Sequence, residues 1–291
     1  MEMIDPKVIE NVCIEIIRKA VIYLPDDVKN ALKTAYDNEV SDIAKAQLKA
    51  ILDNVKLAES IEAPVCQDTG TIIFFAKVGA SFPGIKYIEE SIINATRIAT
   101  SKVPLRPNAV HPFTNKNSGD NTGHFIPYIH WSIVDGDSLE LTVMPKGGGS
   151  ENVCKFKMLT PADGIEGVKK FIINSVLEAN GMPCPPTIVG VGIGGGADIS
   201  MVLAKKALLR PLNKRSPEPQ IAEMEMELYN LLNETGIGPM GLGGRTTVLG
   251  VNIEYAHRHV ASLPVAIAFN CWAARRASAV VYSNGTYKVL G

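Results

Sequence analysis

Three cysteines of this chain stand where an apolar run gives way to a loop or a helix start, not inside a hydrophobic stripe. Cys66 lies in PVCQDTG, Cys184 in MPCPP and Cys271 in FNCWAARR. These segments are far apart in a chain of 291 residues, so a fold that joined them would be tightly constrained. The alternative is that each thiol is simply buried, because a buried thiol behaves as a small hydrophobe. That alternative fits Cys13, which lies at helical spacing within an apolar stripe.

Converging thiolates would favour one kind of cofactor. Cysteine binds iron as thiolate, and soft sulfur ligands select iron–sulfur clusters. Three protein ligands would leave one iron open, which suits a Lewis acid better than an electron carrier. The chain has five cysteines and no CxxC pair, so neither a disulfide framework nor a zinc ribbon nor a thioredoxin-type site is indicated.

The bulk composition excludes several classes of partner. The chain is 46% hydrophobic and 20% charged, with a formal net charge of -1. That charge gives no electrostatic reason to expect nucleic acid or an anionic membrane. The N-terminus lacks the basic and apolar regions of a signal peptide, and no apolar run approaches the roughly 20 residues that span a bilayer. A cytoplasmic location is therefore expected.

Hydrophobic periodicity predicts an α+β fold, with an N-terminal helical region packed on a domain that contains a mixed or antiparallel sheet. We expect the helical region over 1–62 and a cluster-binding α+β domain over 63–291, which together form one continuous domain over 1–291. Helices are predicted over 7–61 (in three parts), 85–103, 161–180, 198–209 and 220–234. Strands are predicted over 71–78, 126–134, 138–144, 187–193, 246–255, 264–270 and 280–289.

Turn signals refine this prediction. Asp135-Gly136-Asp137 between two apolar runs and Ser283-Asn284-Gly285 near the C-terminus each indicate a hairpin. Between residues 104 and 124 the hydrophobic periodicity ends, and the segment is rich in Pro, Asn, Gly, Ser and His. A loop of this length is usually functional or disordered.

Two glycine-rich segments have competing interpretations. GVGIGGG at 190–196 matches GxGxxG in form, but its first glycines fall inside an apolar run, where they favour close backbone packing over dinucleotide binding. KGGGS at 146–150 lets backbone N–H groups approach an anion, or else is a flexible exit from a hairpin.

A longer series of motifs covers essentially the whole chain in a fixed order. It comprises PVCQDTG, LRPNAV, NTG, KGGGSEN, MPCPP, GVGIGGG, KKALLRP, GIGPMGLGG and FNCWAARR. Together these resemble the alpha subunit of class I fumarate hydratases, iron–sulfur hydro-lyases that also include L-tartrate dehydratase.

The resemblance implies a [4Fe–4S] cluster held by Cys66, Cys184 and Cys271, with a fourth iron that has no protein ligand. Cys154 follows KGGGSEN at a place that matches no ligand motif, and it is interpreted as a bystander thiol. Such an open iron also predicts oxygen sensitivity.

The resemblance also implies a set of residues for a dicarboxylate substrate. Gln67 and Asp68 match the substrate-contacting pair of the family, Arg106 matches an arginine that clamps a carboxylate, and Gly149 matches a glycine whose backbone approaches the substrate. A guanidinium provides the bidentate geometry that a carboxylate needs.

For acid–base chemistry the resemblance points to His259 together with Asp68. His257 stays unassigned, and His111 and His124 in the long loop are weaker candidates for lining the site. The residue proposed as general base in the family lies in a second half that this chain does not contain.

The chain is therefore expected to be the alpha subunit of a two-component enzyme, completed by a separate beta subunit in a hetero-oligomer. The expected reaction interconverts (S)-malate and fumarate, because the KGGGSEN motif favours a fumarase over a tartrate dehydratase. The alternatives are an L-tartrate dehydratase or another dicarboxylate hydro-lyase, a non-catalytic cluster-binding scaffold or regulatory subunit, and a nucleotide-binding module.

Overall fold

A computed structural model describes residues 4–290 of the chain. The chain divides into two compact units. The first comprises the described residues of Met1–Pro25, Val55–Gly147 and Arg275–Gly291, and the second comprises Asp26–Asn54 and Gly148–Ala274.

Helices and strands follow each other in mixed order, which confirms the α+β class. The helices are α1 (Pro6–Ile22), α2 (Asp26–Asn38), α3 (Asp42–Ile61), α4 (Ile88–Lys102), α5 (Gly148–Glu151), α6 (Gly164–Ala179), α7 (Ala197–Ala207) and α8 (Pro219–Glu234). The strands are β1 (Thr71–Gly79), β2 (Tyr128–Val134), β3 (Leu139–Lys146), β4 (Lys155–Leu159), β5 (Thr187–Gly195), β6 (Val248–Arg258), β7 (Leu263–Asn270), β8 (Ala277–Val281) and β9 (Tyr287–Val289). Strand β4 and the short helix α5 are the two elements here that the sequence pattern did not predict.

The first unit contains a five-stranded sheet in the order β2-β1-β3-β8-β9. Asp5 caps the N-terminus of helix α1, since its side chain accepts a hydrogen bond from the Lys7 N–H, and Pro6 occupies the first turn. Both features are typical of a helix N-terminus. The predicted apolar stripe of α1, which includes Ile9 and Ile16, is fully buried in the core of this unit.

The hairpin predicted around Asp135-Gly136-Asp137 is wrong, although both of its strands exist. Strand β1 lies between them, parallel to β2 and antiparallel to β3. The turn instead spans the end of β1, where the Gly79 N–H donates to Ser138 and the Ala80 N–H to Val134. One face of β1 is buried along its length, since Ile72, Phe74, Ala76 and Val78 all lie in the core, and such a largely apolar strand favours a central place in a sheet. The hairpin predicted near the C-terminus is confirmed as β8 and β9.

The second unit contains a four-stranded sheet in the order β4-β7-β5-β6, with β5 parallel to β6 and antiparallel to β7. Helices α6 and α8 pack on one face, where Val189 and Val191 of β5 join their apolar core. The alternate residues Gly190 and Gly192 face α7, and a Cβ on Gly192 would overlap the carbonyl oxygen of Ser200. The geometry therefore explains these two glycines by close helix packing.

The prediction of one continuous domain over 1–291 stays a prediction.

Within residues 4–290, no helix combines the length and the apolar composition that crossing a bilayer requires.

Candidate active site

The loop that carries Cys66 connects α3 to β1 in the first unit, and Asp68 lies three positions before β1 begins. The Asp68 Oδ1 accepts a hydrogen bond from the Gly70 N–H at 2.9 Å and one from Asn108 Nδ2 at 3.4 Å. Asn108 Nδ2 also donates to the Gly70 carbonyl oxygen at 3.2 Å. These contacts fix the orientation of the Asp68 carboxylate and leave the neighbouring Gln67 exposed.

Arg106 is held beside this loop through its backbone. The Arg106 N–H donates to Thr69 Oγ1 at 3.0 Å, and the Thr69 hydroxyl lies 3.3 Å from the Arg106 carbonyl oxygen. The Asn121 side chain also donates to that carbonyl, at 3.1 Å. The guanidinium of Arg106 is left exposed to solvent. The structure thus brings together the CQDTG, LRPNAV and NTG motifs and three predicted residues, Gln67, Asp68 and Arg106.

Arg275 supports the same loop from the far end of the chain. It is only 2% exposed, and its Nη1 donates to the Asp68 backbone carbonyl at 2.7 Å. A Cβ placed on Gly147 would lie 3.3 Å from Asp68 Oδ2 and 3.4 Å from Arg275 Nη2, so a larger residue would crowd both groups. The Nε of Arg275 is buried and makes no hydrogen bond within residues 4–290.

Cys184 and Cys271 lie at one end of β5 and β7, the two central strands of the four-stranded sheet in the second unit. Strands β5 and β7 are antiparallel, with Ile188 paired to Asn270. The loop before β5 and the segment after β7 therefore meet, because the start of one antiparallel strand adjoins the end of its neighbour. The Trp272 N–H donates to the Cys184 carbonyl oxygen at 3.2 Å. The MPCPP and FNCWAARR motifs therefore lie side by side in this unit.

The loop of Cys184 rests on the glycine-rich segment 236–244. The Met240 N–H donates to the Pro185 carbonyl oxygen at 2.8 Å. A Cβ on Gly241 would lie 2.6 Å from the Gly181 Cα, and Gly241 has a φ of +75°. Only glycine combines that conformation with such a close backbone approach.

Gly149 approaches this loop as well. It lies in the short helix α5, is exposed, and a Cβ built on it would be 3.6 Å from the Met182 carbonyl oxygen. The segment KGGGS therefore ends β3 and begins a helical turn beside the motif of Cys184.

The cysteines divide by environment. Cys66, Cys184 and Cys271 are half-buried, as is Cys154, whose Sγ lies 3.5 Å from the Ser150 carbonyl oxygen. Cys13 is fully buried, and burial together with the nearby charge of Glu10 raises the pKa of its thiol. Cys13 is thus a core residue, as its helical spacing predicted. In the part of the chain that the structure describes, no cysteine forms a disulfide.

The predicted histidines lie elsewhere. Strands β5 and β6 are parallel, with Gly195 paired to Arg258. His257 and His259 therefore lie at the opposite end of the strands from Cys271. The eight residues of β7 separate these two ends by about 26 Å, at roughly 3.3 Å per residue. His259 Nδ1 accepts a hydrogen bond from the Ala261 N–H at 3.1 Å. The structure does not bring His259 to the cysteines of its own unit, and its catalytic role stays a prediction.

The two histidines of the long loop, His111 and His124, also contact residues close to them in sequence. His111 Nδ1 accepts hydrogen bonds from the N–H groups of Phe113 and Thr114, both at 3.3 Å, and His124 packs edge-on against Phe125. Across residues 4–290, no group of three or more His, Cys, Asp or Glu side chains is arranged as a metal site. The chemistry of the donor set nevertheless fits an iron–sulfur cluster. The half-buried thiols of Cys184 and Cys271 lie at the same end of β5 and β7, and that of Cys66 lies in the Asp68 loop.

Sequence reasoning missed the residues that position this site. Asn108, Asn121 and Arg275 stand inside motifs that signalled the family, but only their contacts with Asp68 and Arg106 reveal what they do.

Comparison with known proteins gives a consistent result. The model of the family described as fumarate hydratase (Fumerase) matches residues 10–280. The chain is 50% identical over 273 residues to the putative L(+)-tartrate dehydratase subunit alpha of Methanocaldococcus jannaschii, which covers 92% of this chain and 96% of that protein. It is 42% identical over 268 residues to the L(+)-tartrate dehydratase subunit alpha of Escherichia coli O157:H7, with 92% of this chain and 88% of that protein covered.

Proposed function

Because this chain belongs to the fumarate hydratase (Fumerase) family, we propose that it is the alpha subunit of a two-component hydro-lyase that interconverts (S)-malate and fumarate. The family match and the names of the relatives agree on the hydro-lyase class. The observation that carries the proposal is the cluster of contacts around Asp68, which holds an exposed guanidinium, an exposed amide and a carboxylate together. A scaffold without activity would not need such a group of substrate-binding side chains.

Cys66, Cys184 and Cys271 would hold the [4Fe–4S] cluster. Their half-buried thiols are accessible to an incoming metal, whereas the thiol of Cys13 is enclosed. When bound, the cluster would supply an open iron as Lewis acid for the hydroxyl and carboxylate oxygens of the substrate. Cys271 precedes the buried Arg275 by four residues, so the segment that carries one proposed ligand continues directly into the residue that holds the Asp68 loop.

The residues of this chain would bind and orient the substrate. Arg106 would pair with a carboxylate, since a guanidinium accepts the two oxygens side by side. Gln67 would donate from its amide, and Gly149 would admit the substrate close to its backbone. Asp68 would hold or move a proton from a position fixed by the N–H of Gly70 and the amide of Asn108.

The general base is expected on a separate beta subunit. The relatives named above are alpha subunits of L(+)-tartrate dehydratase, and by that likeness this chain would assemble with a beta subunit into a hetero-oligomer. The same names favour a second candidate, dehydration of L-tartrate by this same site.

The proposal is tested with the chain co-produced with a candidate beta chain and purified without oxygen. Turnover of (S)-malate, fumarate and L-tartrate is compared as kcat/KM. A higher value for (S)-malate and fumarate supports the first candidate, and a higher value for L-tartrate replaces it with the second. Absence of turnover of all three by a complex that contains a full cluster would overturn the hydro-lyase assignment for this subunit.

Iron and sulfide content tests the ligand assignment separately. About four of each per copy of this chain are expected, with loss in Cys66→Ser, Cys184→Ser and Cys271→Ser. The matched controls are Cys13→Ser and Cys154→Ser, which should keep the full content. Equal iron in all five variants would contradict the assignment.

A further inference from the structure

An ion pair joins two motifs of the sequence, KKALLRP and KGGGSEN. Lys205 begins the first motif, and Glu151 is the sixth residue of the second. Lys205 Nζ donates to Glu151 Oε1 at 2.6 Å, and both residues belong to the second unit. The pair therefore ties α7, which carries Lys205, to α5, which ends at Glu151.

The helix that carries the lysine is fixed by close packing on β5. A Cβ on Gly192 would overlap the Ser200 carbonyl oxygen, and a Cβ on Gly190 would overlap that of Ala204. Toward the start of β5 the contacts thus advance along α7, so the helix runs back along the strand. Its C-terminal end, where the lysine stands, lies at the end of β5 that adjoins the MPCPP loop.

The glutamate is built into a tight turn over residues 148–154. The Asn152 N–H donates to the Gly148 carbonyl oxygen at 2.9 Å, and the Cys154 N–H donates to that of Glu151 at 3.0 Å. The Cys154 Sγ also lies 3.7 Å from Glu151 Oε2, the other oxygen of the carboxylate that Lys205 contacts. One carboxylate thus connects Lys205 to both ends of this turn.

The 148–154 turn contains Gly149, two positions before Glu151. A Cβ on Gly149 would lie 3.6 Å from the Met182 carbonyl oxygen, so the turn and the MPCPP loop are close neighbours. The side chains of Lys205 and Glu151 are 19% and 40% exposed, and ion pairs that solvent reaches contribute little to the stability of a fold. What this pair specifies is the position of the turn.

We propose that Lys205 is a positioning residue for substrate binding, which through Glu151 holds the 148–154 turn where the Gly149 backbone meets a dicarboxylate. This role rests on the proposed function, in which the substrate lies close to Gly149. Three consecutive glycines allow the backbone many conformations, and a substrate would have to select one of them. Anchoring the turn in advance removes that entropic cost from binding.

Steady-state kinetics of the complex with its beta chain test the role. Lys205→Met removes the charge and should raise KM about tenfold while kcat stays within about twofold, the pattern of lost uniform binding. Lys205→Arg keeps a cation and should restore KM to within about threefold of wild type. The matched control is Lys206→Met, which removes the same charge at the next, exposed position of α7 and should leave KM unchanged.

Glu151→Gln removes the pair from its other side and should match Lys205→Met. Circular dichroism and the iron and sulfide content check that every variant is folded and loaded. Loss of the cluster in both Lys205→Met and Glu151→Gln would overturn the proposal, because the pair would then act on the cluster and not on the turn.

Hydrogen exchange of the peptide over 148–154 gives a measurement that needs no turnover. The probe is succinate, a dicarboxylate that has neither a hydroxyl group to eliminate nor a double bond to hydrate. Succinate should slow exchange in the wild-type complex. The concentration for half of this effect should be about tenfold higher in Lys205→Met and unchanged in Lys206→Met.

The two measurements separate this role from the proposed function. Equal succinate dependence in wild type and Lys205→Met, equal shifts in Lys205→Met and Lys206→Met, or no slowing of exchange by succinate in wild type overturns the role of Lys205. A wild-type complex that turns over none of the substrates, yet shows the shift in Lys205→Met alone, overturns the proposed hydro-lyase activity and supports the role of Lys205 in binding a dicarboxylate.

Discussion

Arg275 Nη1 donates a 2.7 Å hydrogen bond to the backbone carbonyl oxygen of Asp68, across 207 positions of sequence. The contact lies within the first unit and ties Arg275, near the end of the CWAARR motif, to the CQDTG motif, although neither motif alone indicates that the other is near. It also explains why a positively charged side chain is buried there. The carbonyl dipole and the Asp68 carboxylate near Gly147 offset part of the cost of desolvating the guanidinium.

We expect Arg275→Lys to lower the free energy of unfolding by about 1.5–3 kcal/mol, the range for a hydrogen bond that involves a charged group. A lysine carries a point charge and cannot reproduce the geometry of the guanidinium. The measurement is urea denaturation of the apo chain. Arg97→Lys is the matched control, since Arg97 is half-exposed in an ion pair with Asp120, and it should change stability by less than about 0.5 kcal/mol. Equal effects of the two variants would contradict the structural role of Arg275.

Glu39 predicts a pH dependence of stability. Burial alone would raise the pKa of its carboxyl, but backbone N–H groups of Ser41, Arg245 and Val40 donate to it and the net pKa is lowered. A lowered pKa in the folded state contributes stability that is present above the unfolded pKa and is lost as pH falls through the folded one.

Glu39→Gln should therefore reduce the free energy of unfolding by about 1–3 kcal/mol at pH 7. The difference from wild type should shrink as the pH falls below the ordinary value of 4.5. Denaturation series between pH 3 and pH 7 measure this. Glu223→Gln, at an exposed position of α8, is the control. A difference that stays constant with pH would show that Glu39 does not act through its charge.

The contact between Gly241 and Gly181 predicts that the loop of Cys184 is sensitive to a single methyl group. Gly241→Ala should lower the free energy of unfolding by about 2–4 kcal/mol, because it adds overpacking of about 1–3 kcal/mol to the strain of a positive φ. Gly243→Ala separates the two effects. Gly243 also has a positive φ, of +86°, but nothing lies within 4 Å of its added Cβ. If both variants lose the same stability, backbone crowding against Gly181 is not the cause.

The environments of the thiols predict a difference in reactivity. In the apo chain, Cys66, Cys184 and Cys271 should react with a maleimide under native conditions, since each is half-buried. Cys13 should react only when the protein unfolds, because its thiol is fully buried and burial raises its pKa. Mass spectrometry of the labelled peptides over time distinguishes the four sites. Labelling of Cys13 at the rate of the other three would contradict the packing of α1.

Local patterns predicted most of the elements correctly. The stripe of Ile9 and Ile16 specified α1, and the Ser283-Asn284-Gly285 turn specified the last hairpin, because each depends on residues close together in sequence. The turn at Asp135-Gly136-Asp137 misled for the opposite reason. Whether two strands pair depends on which third strand competes for the same edge, and that strand, β1, lies more than fifty positions earlier.

The sequence by itself determined the fold class, the family and the identity of the candidate ligands, since periodicity and long ordered motifs are properties of residue order. Only the tertiary structure decided which of these residues meet. Cys184 and Cys271 lie at the same end of the paired strands β5 and β7 although they are 87 positions apart, whereas His259 and Cys271 are twelve positions apart and lie at opposite ends of these strands. The physical reason is strand geometry: antiparallel pairing joins distant ends through hydrogen bonds, and an extended strand carries its own two ends as far apart as its length allows.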